Sequence, residues 1–212
     1  LCVFFVCKQK TAYEVVFGDG SSDVCSSDLP FPVSTDTRVR PNIVLTGMPG
    51  AGKSTVGVIL AKELRLAFVD TDILIQTGEG ASLQDIIDTC GLDRFLTIEE
   101  RYVTSLDIRG AVIAPGGSVV LSKPCMTALR HDGVVVFLDT PIDTIRSRID
   151  EYSRGIVMRP GLSLDDVYRE REPLYRATAD IVIPCKGMSQ TEIAVRIASE
   201  IRRFRRVSDP RT

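Results

Sequence analysis

Between residues 42 and 206 the apolar positions fall into two kinds of run. Short uninterrupted blocks, Ile43-Val44-Leu45, Phe68-Val69, Ala111-Val112-Ile113-Ala114, Val134-Val135-Val136-Phe137-Leu138 and Ile181-Val182-Ile183, read as five strands buried on both faces. The stretches between them have helical spacing. Residues 55–64 predict a helix ending near Leu64, and residues 73–77 a shorter one. Ser82-Leu83-Gln84-Asp85 is an S-x-x-D capping arrangement, opening a helix with Ile86 and Ile87 on its buried side and Gly91 as its break. Leu92, Phe95, Leu96, Ile98, Tyr102 and Val103 mark a helix over residues 92–103. Ser122 or Lys123-Pro124 starts another through Leu129, and Pro141 suits the first turn of a helix from Ile142 to about Ile149. Ser163-Leu164-Asp165-Asp166 is a second capping box, and Pro173 is expected to kink the helix it opens. Ser189 to Glu192 caps a last helix reaching about Phe204. Strands alternating with helices imply an α/β fold: a five-stranded parallel sheet with helices on both faces.

The first strand runs into Gly47-Met48-Pro49-Gly50-Ala51-Gly52-Lys53-Ser54 and then into a helix. This is the G-x-x-x-x-G-K-[ST] phosphate loop in the strand–loop–helix setting that gives it meaning. Gly47, Gly50 and Gly52, with Ala51 between them, let the backbone curl so that several N–H groups face one anion, and the helix beginning at Ser54 and Thr55 adds its positive end. Lys53 reaches the β- and γ-phosphates, and the Ser54 hydroxyl can ligate Mg²⁺. A nucleoside triphosphate, ATP with Mg²⁺, is the implied cofactor.

The totals narrow the partners. The 212 residues allow one domain, with 26 basic and 28 acidic residues. Residues 1–38 hold three of the basic and five of the acidic ones, so the rest carries 23 of each. A neutral body gives no electrostatic case for nucleic acid or membrane and favours a small-molecule partner. No apolar run approaches the roughly 18 residues of a bilayer span. The six cysteines show no C-x-x-C pair and no zinc spacing, which suggests a reducing, cytoplasmic setting. The single histidine, His131, precedes a strand in a surface turn and leaves no partner for a Ser/His or Cys/His arrangement. Residues 1–29 have an apolar opening with no basic region before it, and they resemble translated sequencing-adapter read-through. The expected organisation is therefore an artefactual or disordered leader over 1–38, a single kinase domain over 39–206 and a disordered tail over 207–212.

Asp70 and Asp72 lie at the carboxyl end of the second strand, where ligands collect in open α/β sheets. Two residues apart on extended backbone, both carboxylates would face one side. One can hold the Mg²⁺ water shell while the other takes the proton of an acceptor hydroxyl; a cap on the following helix is the rival reading for Asp72.

Phe68-Val69-Asp70-Thr71-Asp72 after such a phosphate loop resembles the shikimate kinases, small P-loop kinases of the nucleoside-monophosphate-kinase fold with a mobile lid, and the resemblance covers roughly residues 42–200. It implies Asp70 as the Mg²⁺-associated acid and Asp72 as the group that meets the phosphorylated hydroxyl. It implies an acceptor-binding segment over about residues 72–105 and a lid over about 150–162. The family's Phe-Arg-x-x-Glu pattern is met by Phe95 and Glu99, but Leu96 stands where the carboxylate-gripping Arg belongs. Of three successive glycines after the third strand, Gly116 and Gly117 match and Ser118 replaces the third. An Arg packing against adenine matches Arg148, with Arg146 as the alternative, and the lid Arg-Pro matches Arg159-Pro160, ahead of Arg154. An R-x-P-L-Y motif at Arg171, Pro173, Leu174 and Tyr175 makes Arg171 the binder of the acceptor carboxylate. The implied activity is transfer of the γ-phosphoryl group of ATP to a hydroxyl of a small hydroxy acid, shikimate foremost, by a cytoplasmic monomer. Lys53, Arg159 and Mg²⁺ would stabilise the moving group. Leu96 and Ser118 leave room for a related kinase acting on a sugar acid or an amino-acid alcohol. A nucleoside-monophosphate kinase and a guanine-binding switch are remoter, the latter because Asn42 is the sole Asn and no N-K-x-D motif exists.

Overall fold

The computed structural model describes residues 41–151 and 161–208. The chain divides between Thr37 and Arg38, and the fold below belongs to the unit Arg38–Thr212. Five strands, β1 (Asn42–Thr46), β2 (Ala67–Asp70), β3 (Ala111–Ala114), β4 (Gly133–Asp139) and β5 (Ile181–Pro184), form one sheet in the order β2-β3-β1-β4-β5. All four pairings are parallel. The helices are α1 (Lys53–Leu64), α2 (Thr71–Glu79), α3 (Leu83–Cys90), α4 (Leu92–Thr104), α5 (Lys123–His131), α6 (Ile142–Glu151), α7 (Leu164–Thr178) and α8 (Gln190–Ser208).

Strand residues alternate between two cores. Ile43 and Leu45 of β1, Val112 of β3, and Val136 and Leu138 of β4 face α1 and α8, meeting Val56, Leu60, Ile193 and Ile197. Val44, Ile113 and Val135 face the other way, onto Val103 of α4 and Met126 and Leu129 of α5. Burial on both faces is why these strands read as continuous apolar runs. Beyond the sheet edge, Ile75 of α2, Ile86 of α3, and Phe95 and Ile98 of α4 form a separate small core, with Leu96 packed against it. The acceptor-binding segment expected from sequence is this helical cap, which has its own apolar centre. Among the described residues no helix is long and apolar enough to cross a membrane.

The helix starts follow the capping chemistry in the sequence. Ser82 and Asp85 close a reciprocal capping box at α3, and Ser163 and Asp166 do the same at α7. The Ser189 amide and hydroxyl both bond Glu192 at the start of α8. The helix α7 runs through Pro173 without interruption. Asn42, the lone asparagine, is a structural latch: its side chain donates to the Ile108 carbonyl (2.7 Å) and accepts from the Ala111 amide (3.1 Å), tying the start of β1 to the start of β3. His131 ends α5 on the surface, with Nδ1 3.2 Å from Asp132.

Two features differ from the sequence expectation. Residues 119–121 form a 3₁₀ turn that the apolar pattern does not announce. The backbone is also extended only as far as Asp70: α2 begins at Thr71, and the Asp70 carboxylate caps it by accepting from the Asp72 (3.0 Å) and Ile73 (3.3 Å) amides. The same-side strand geometry expected for Asp70 and Asp72 is therefore replaced by a cap residue and a first-turn residue, and the cap is Asp70, not Asp72. Both features sit at the carboxyl end of the sheet. The expected lid arginines, Arg159 and Arg154, lie outside the described residues.

Candidate active site

The central strand β1 ends at Thr46, and the phosphate loop leaves it between the carboxyl ends of its neighbours β3 and β4. Gly47, Gly50 and Gly52 have φ of 147°, 76° and 95°. Those values open a tight concave turn at positions where a side chain would be strained. Met48 and Ala51 anchor the loop by burial, whereas Ser54 and Thr55 at the start of α1 remain exposed. Lys53 is 9% exposed, and its ammonium donates to the Gly47 (2.9 Å) and Met48 (3.1 Å) carbonyls. Burial lowers its pKa, against the pull of the Asp72 and Asp70 charges. The loop therefore sets two exposed hydroxyls at a helix N-terminus above one buried cation, an arrangement able to receive an anion.

Arg148 on α6 reaches over this loop and donates to the Gly50 (3.2 Å) and Ala51 (3.3 Å) carbonyls. Arg146, two residues earlier, turns away to Asp143 and Asp165. Of the two arginines the sequence left open, Arg148 is the one at the loop.

The other half of the site gathers around the turn after β3. A side-chain carbon at Gly116 would run into the Glu99 carboxyl and come within 3.1 Å of Asp72 Oδ1, so the bare glycine is what lets both acids close on that turn. At Gly117 it would lie 2.7 Å from Pro49, placing this turn directly against the phosphate loop. Arg171 is 4% exposed on the Val167-Arg171-Tyr175 face of α7. Tyr175, stacked on Phe137 with ring centroids 5.3 Å apart, donates its hydroxyl to the Gly117 carbonyl. Burial displaces two acids here, and the neighbouring charges adjust each shift. Asp72 rises to about 6, through burial first and then repulsion by Asp70, with Lys53 opposing. Glu99 rises to about 7 through burial, with the Ser118 hydroxyl, Arg171 and Lys53 opposing.

The structure therefore brings together Lys53, Asp72, Gly116, Gly117 and Arg171, all named from sequence. It brings in three more that the motifs contain but to which the sequence assigned no role: Glu99, Ser118 and Tyr175. Glu99 had a legible signal, being an acid four residues after Phe95 on the buried stripe of α4. Ser118 and Tyr175 stood in the sequence as a replaced glycine and as the end of the R-x-P-L-Y motif, but their partners, Glu99 and the Gly117 carbonyl, lie on distant elements. Leu96, where a second acceptor-gripping Arg was expected, packs into the helical cap.

This site can hold a triphosphate, place a cation at its end, and set a carboxyl with a pKa of about 6 beside a pocket with a buried guanidinium. Among the described residues no group of three His, Cys, Asp or Glu side chains is placed to bind a metal alone. Ser54 and Asp70 are nevertheless hard oxygen donors suited to Mg²⁺, which typically arrives with the nucleotide phosphates and keeps several waters.

The chain is similar to known proteins. The shikimate kinase of Chromohalobacter salexigens is 38% identical over 176 residues, covering 80% of this chain and 95% of that protein. The shikimate kinase of Pseudoalteromonas translucida is 36% identical over 167 residues, covering 76% and 97%. Among solved structures, shikimate kinase from Acinetobacter baumannii in complex with shikimate superposes with a TM-score of 0.70 at 32% identity, over 76% of this chain and 93% of that one. The enzyme from Aquifex aeolicus does so with a TM-score of 0.66 at 27% identity. The sequence profile of shikimate kinase matches residues 49–202, and on that match the chain belongs to the shikimate kinase family.

Proposed function

We propose that this chain transfers the γ-phosphoryl group of ATP to a hydroxyl of shikimate, giving shikimate 3-phosphate. The observation that carries the proposal is the meeting of Asp72, Glu99 and Gly116 at the turn that abuts the phosphate loop, with Arg171 buried on the adjoining α7. Asp72, with a pKa of about 6, is ionised at neutral pH and basic enough to orient or accept the acceptor's proton. Arg171 offers its charge to the acceptor carboxylate. Lys53 supplies positive charge where negative charge shifts during transfer, and no covalent phosphoenzyme is needed.

The nucleotide half follows from the cradle. Gly47, Gly50, Ala51 and Gly52 offer backbone amides to the phosphates, and Ser54 and Thr55 offer hydroxyls. Arg148, already lying over Gly50 and Ala51, suits a contact with the adenine. Mg²⁺, held through Ser54 and the water shell near Asp70, would neutralise phosphate charge. Arg159 would add a lid cation. We place the enzyme in the cytoplasm, as a monomer.

A second reading has one specific observation behind it. Leu96 sits in the apolar core of the helical cap and brings no charge to the pocket. An acceptor carboxylate that loses one charged hydrogen bond loses about 1.5–3 kcal/mol. That loss fits weak binding of shikimate and equally a different hydroxylated acceptor, such as an amino-acid alcohol or a sugar acid. A coupled assay of ADP release over a panel of hydroxylated acids, sugar acids, amino-acid alcohols, AMP and CMP separates the readings. The proposal expects shikimate to give the highest kcat/KM. Turnover dominated by any other member would replace it.

A further inference from the structure

Ser118 stands where a third glycine was expected, and its hydroxyl has a definite task. It lies 2.8 and 2.7 Å from the two carboxyl oxygens of Glu99. Both residues are 2% exposed. One hydroxyl proton serves one oxygen at a time, so Ser118 holds the whole carboxyl group from the side of the β3 turn. The held carboxyl forms the wall at Gly116, where Asp72 also closes in. The next pair along lies away from Gly116: Ser122 donates to Glu100 at 2.7 Å and ties α4 to the start of α5.

We propose that Ser118 is a positioning residue for the acceptor: by hydrogen-bonding Glu99 it fixes that carboxyl at the pocket wall beside Asp72, and so sets acceptor affinity without touching the nucleotide half. This rests on the reading of the pocket as the site of a hydroxylated acid. Ionised Glu99 would accept from an acceptor hydroxyl, and the Ser118 proton favours the ionised form. The groups acting on Glu99 are Asp72 from α2, Lys53 from α1 and Arg171 from α7. Glu99 in turn acts on Cys125 of α5 and on Tyr175 of α7. With the hydroxyl removed, the titration of Glu99 moves up from about 7.

The test compares Ser118→Ala, Ser118→Gly and Ser118→Thr in the full chain. Ser118→Gly keeps the test open if Ser118→Ala folds poorly, because glycine is the residue expected at this place. The proposal expects the Ala and Gly variants to raise the KM for shikimate about tenfold, with kcat and the KM for ATP within about twofold of wild type. Ser118→Thr retains the hydroxyl and should behave as wild type. In ligand-free protein, ¹³C NMR of the Glu99 carboxyl should show a higher midpoint in the Ala and Gly variants than in wild type or Ser118→Thr. An unshifted midpoint overturns the pairing whatever the kinetics. A shifted midpoint with unchanged acceptor KM, or a fall in kcat alone, overturns the positioning role. Absence of shikimate turnover by wild type would overturn the acceptor role together with the proposed function, while the titration still judges the Ser118–Glu99 pair.

Discussion

Asp72 sits in the first turn of α2 under two opposed fields, Asp70 repelling its charge and Lys53 attracting it, while burial raises its pKa to about 6. If its ionised form receives the acceptor proton, kcat falls as pH drops below about 6, and Asp72→Asn lowers kcat about 10²- to 10⁴-fold with Mg·ATP affinity little changed. The same shift has a consequence for stability. A carboxyl whose pKa is higher in the folded than in the unfolded chain costs nothing at pH below its ordinary 3.8, and its cost grows as pH rises to about 6. Asp72→Asn should therefore melt higher than wild type at pH 8, by a few degrees or on the order of 2 kcal/mol. The gain should shrink towards pH 4, and a variant less stable than wild type at pH 8 would contradict the burial account. The sequence singled out Lys53 by the phosphate-loop motif and Arg171 by the family resemblance, and both side chains are buried in the structure. It was misread where a single backbone transition decides geometry. Extended backbone through both residues would set Asp70 and Asp72 on one face of a strand, but the helix starts between them and makes Asp70 the cap.

The packing of α1 onto the sheet depends on Gly57, which faces Phe68 of β2 so closely that a methyl group there would overlap the ring. Alanine normally favours a helix interior over glycine by about 1 kcal/mol. Here the overlap should win, since overpacking costs about 1–3 kcal/mol. Gly57→Ala is expected to lower the melting temperature, and an unchanged or raised value would show that Phe68 yields freely. The inner strands β1, β3 and β4 were legible because double-sided burial leaves unbroken apolar runs, whereas the edge strands β2 and β5 are only partly buried. The capping boxes at Ser82 and Ser163 marked helix starts directly. The 3₁₀ turn at Val119–Leu121 was not legible, because Val119 and Val120 are buried by their place after the Gly116-Gly117 turn and not by any periodicity of their own. Ser118 precedes that turn, which explains why its bond to Glu99 escaped notice.

Across the whole molecule, the order β2-β3-β1-β4-β5 puts the phosphate loop at the centre of the sheet and sets the helical cap beside it. Apolar runs name the strands but do not say which are neighbours, so this order came from the structure and not from the pattern. The resemblance to shikimate kinases, carried by short motifs, supplied the site residues in a way composition could not. The organisation proposed for the chain makes the leader dispensable: removal of residues 1–36 should leave melting temperature and kcat/KM unchanged, and a large loss of either would assign that segment a part in the fold. The proposed chemistry is one transfer, from the nucleotide at the Gly47–Ser54 loop to an alcohol oxygen beside Asp72. The most direct measurement incubates the full chain with Mg²⁺ and γ-labelled ATP in the presence of shikimate and follows the label by mass spectrometry. The expected result is label on shikimate 3-phosphate in a one-to-one ratio with ADP, lost in Asp72→Asn and Lys53→Ala. ADP formed without labelled shikimate, or transfer undiminished by either substitution, would contradict it.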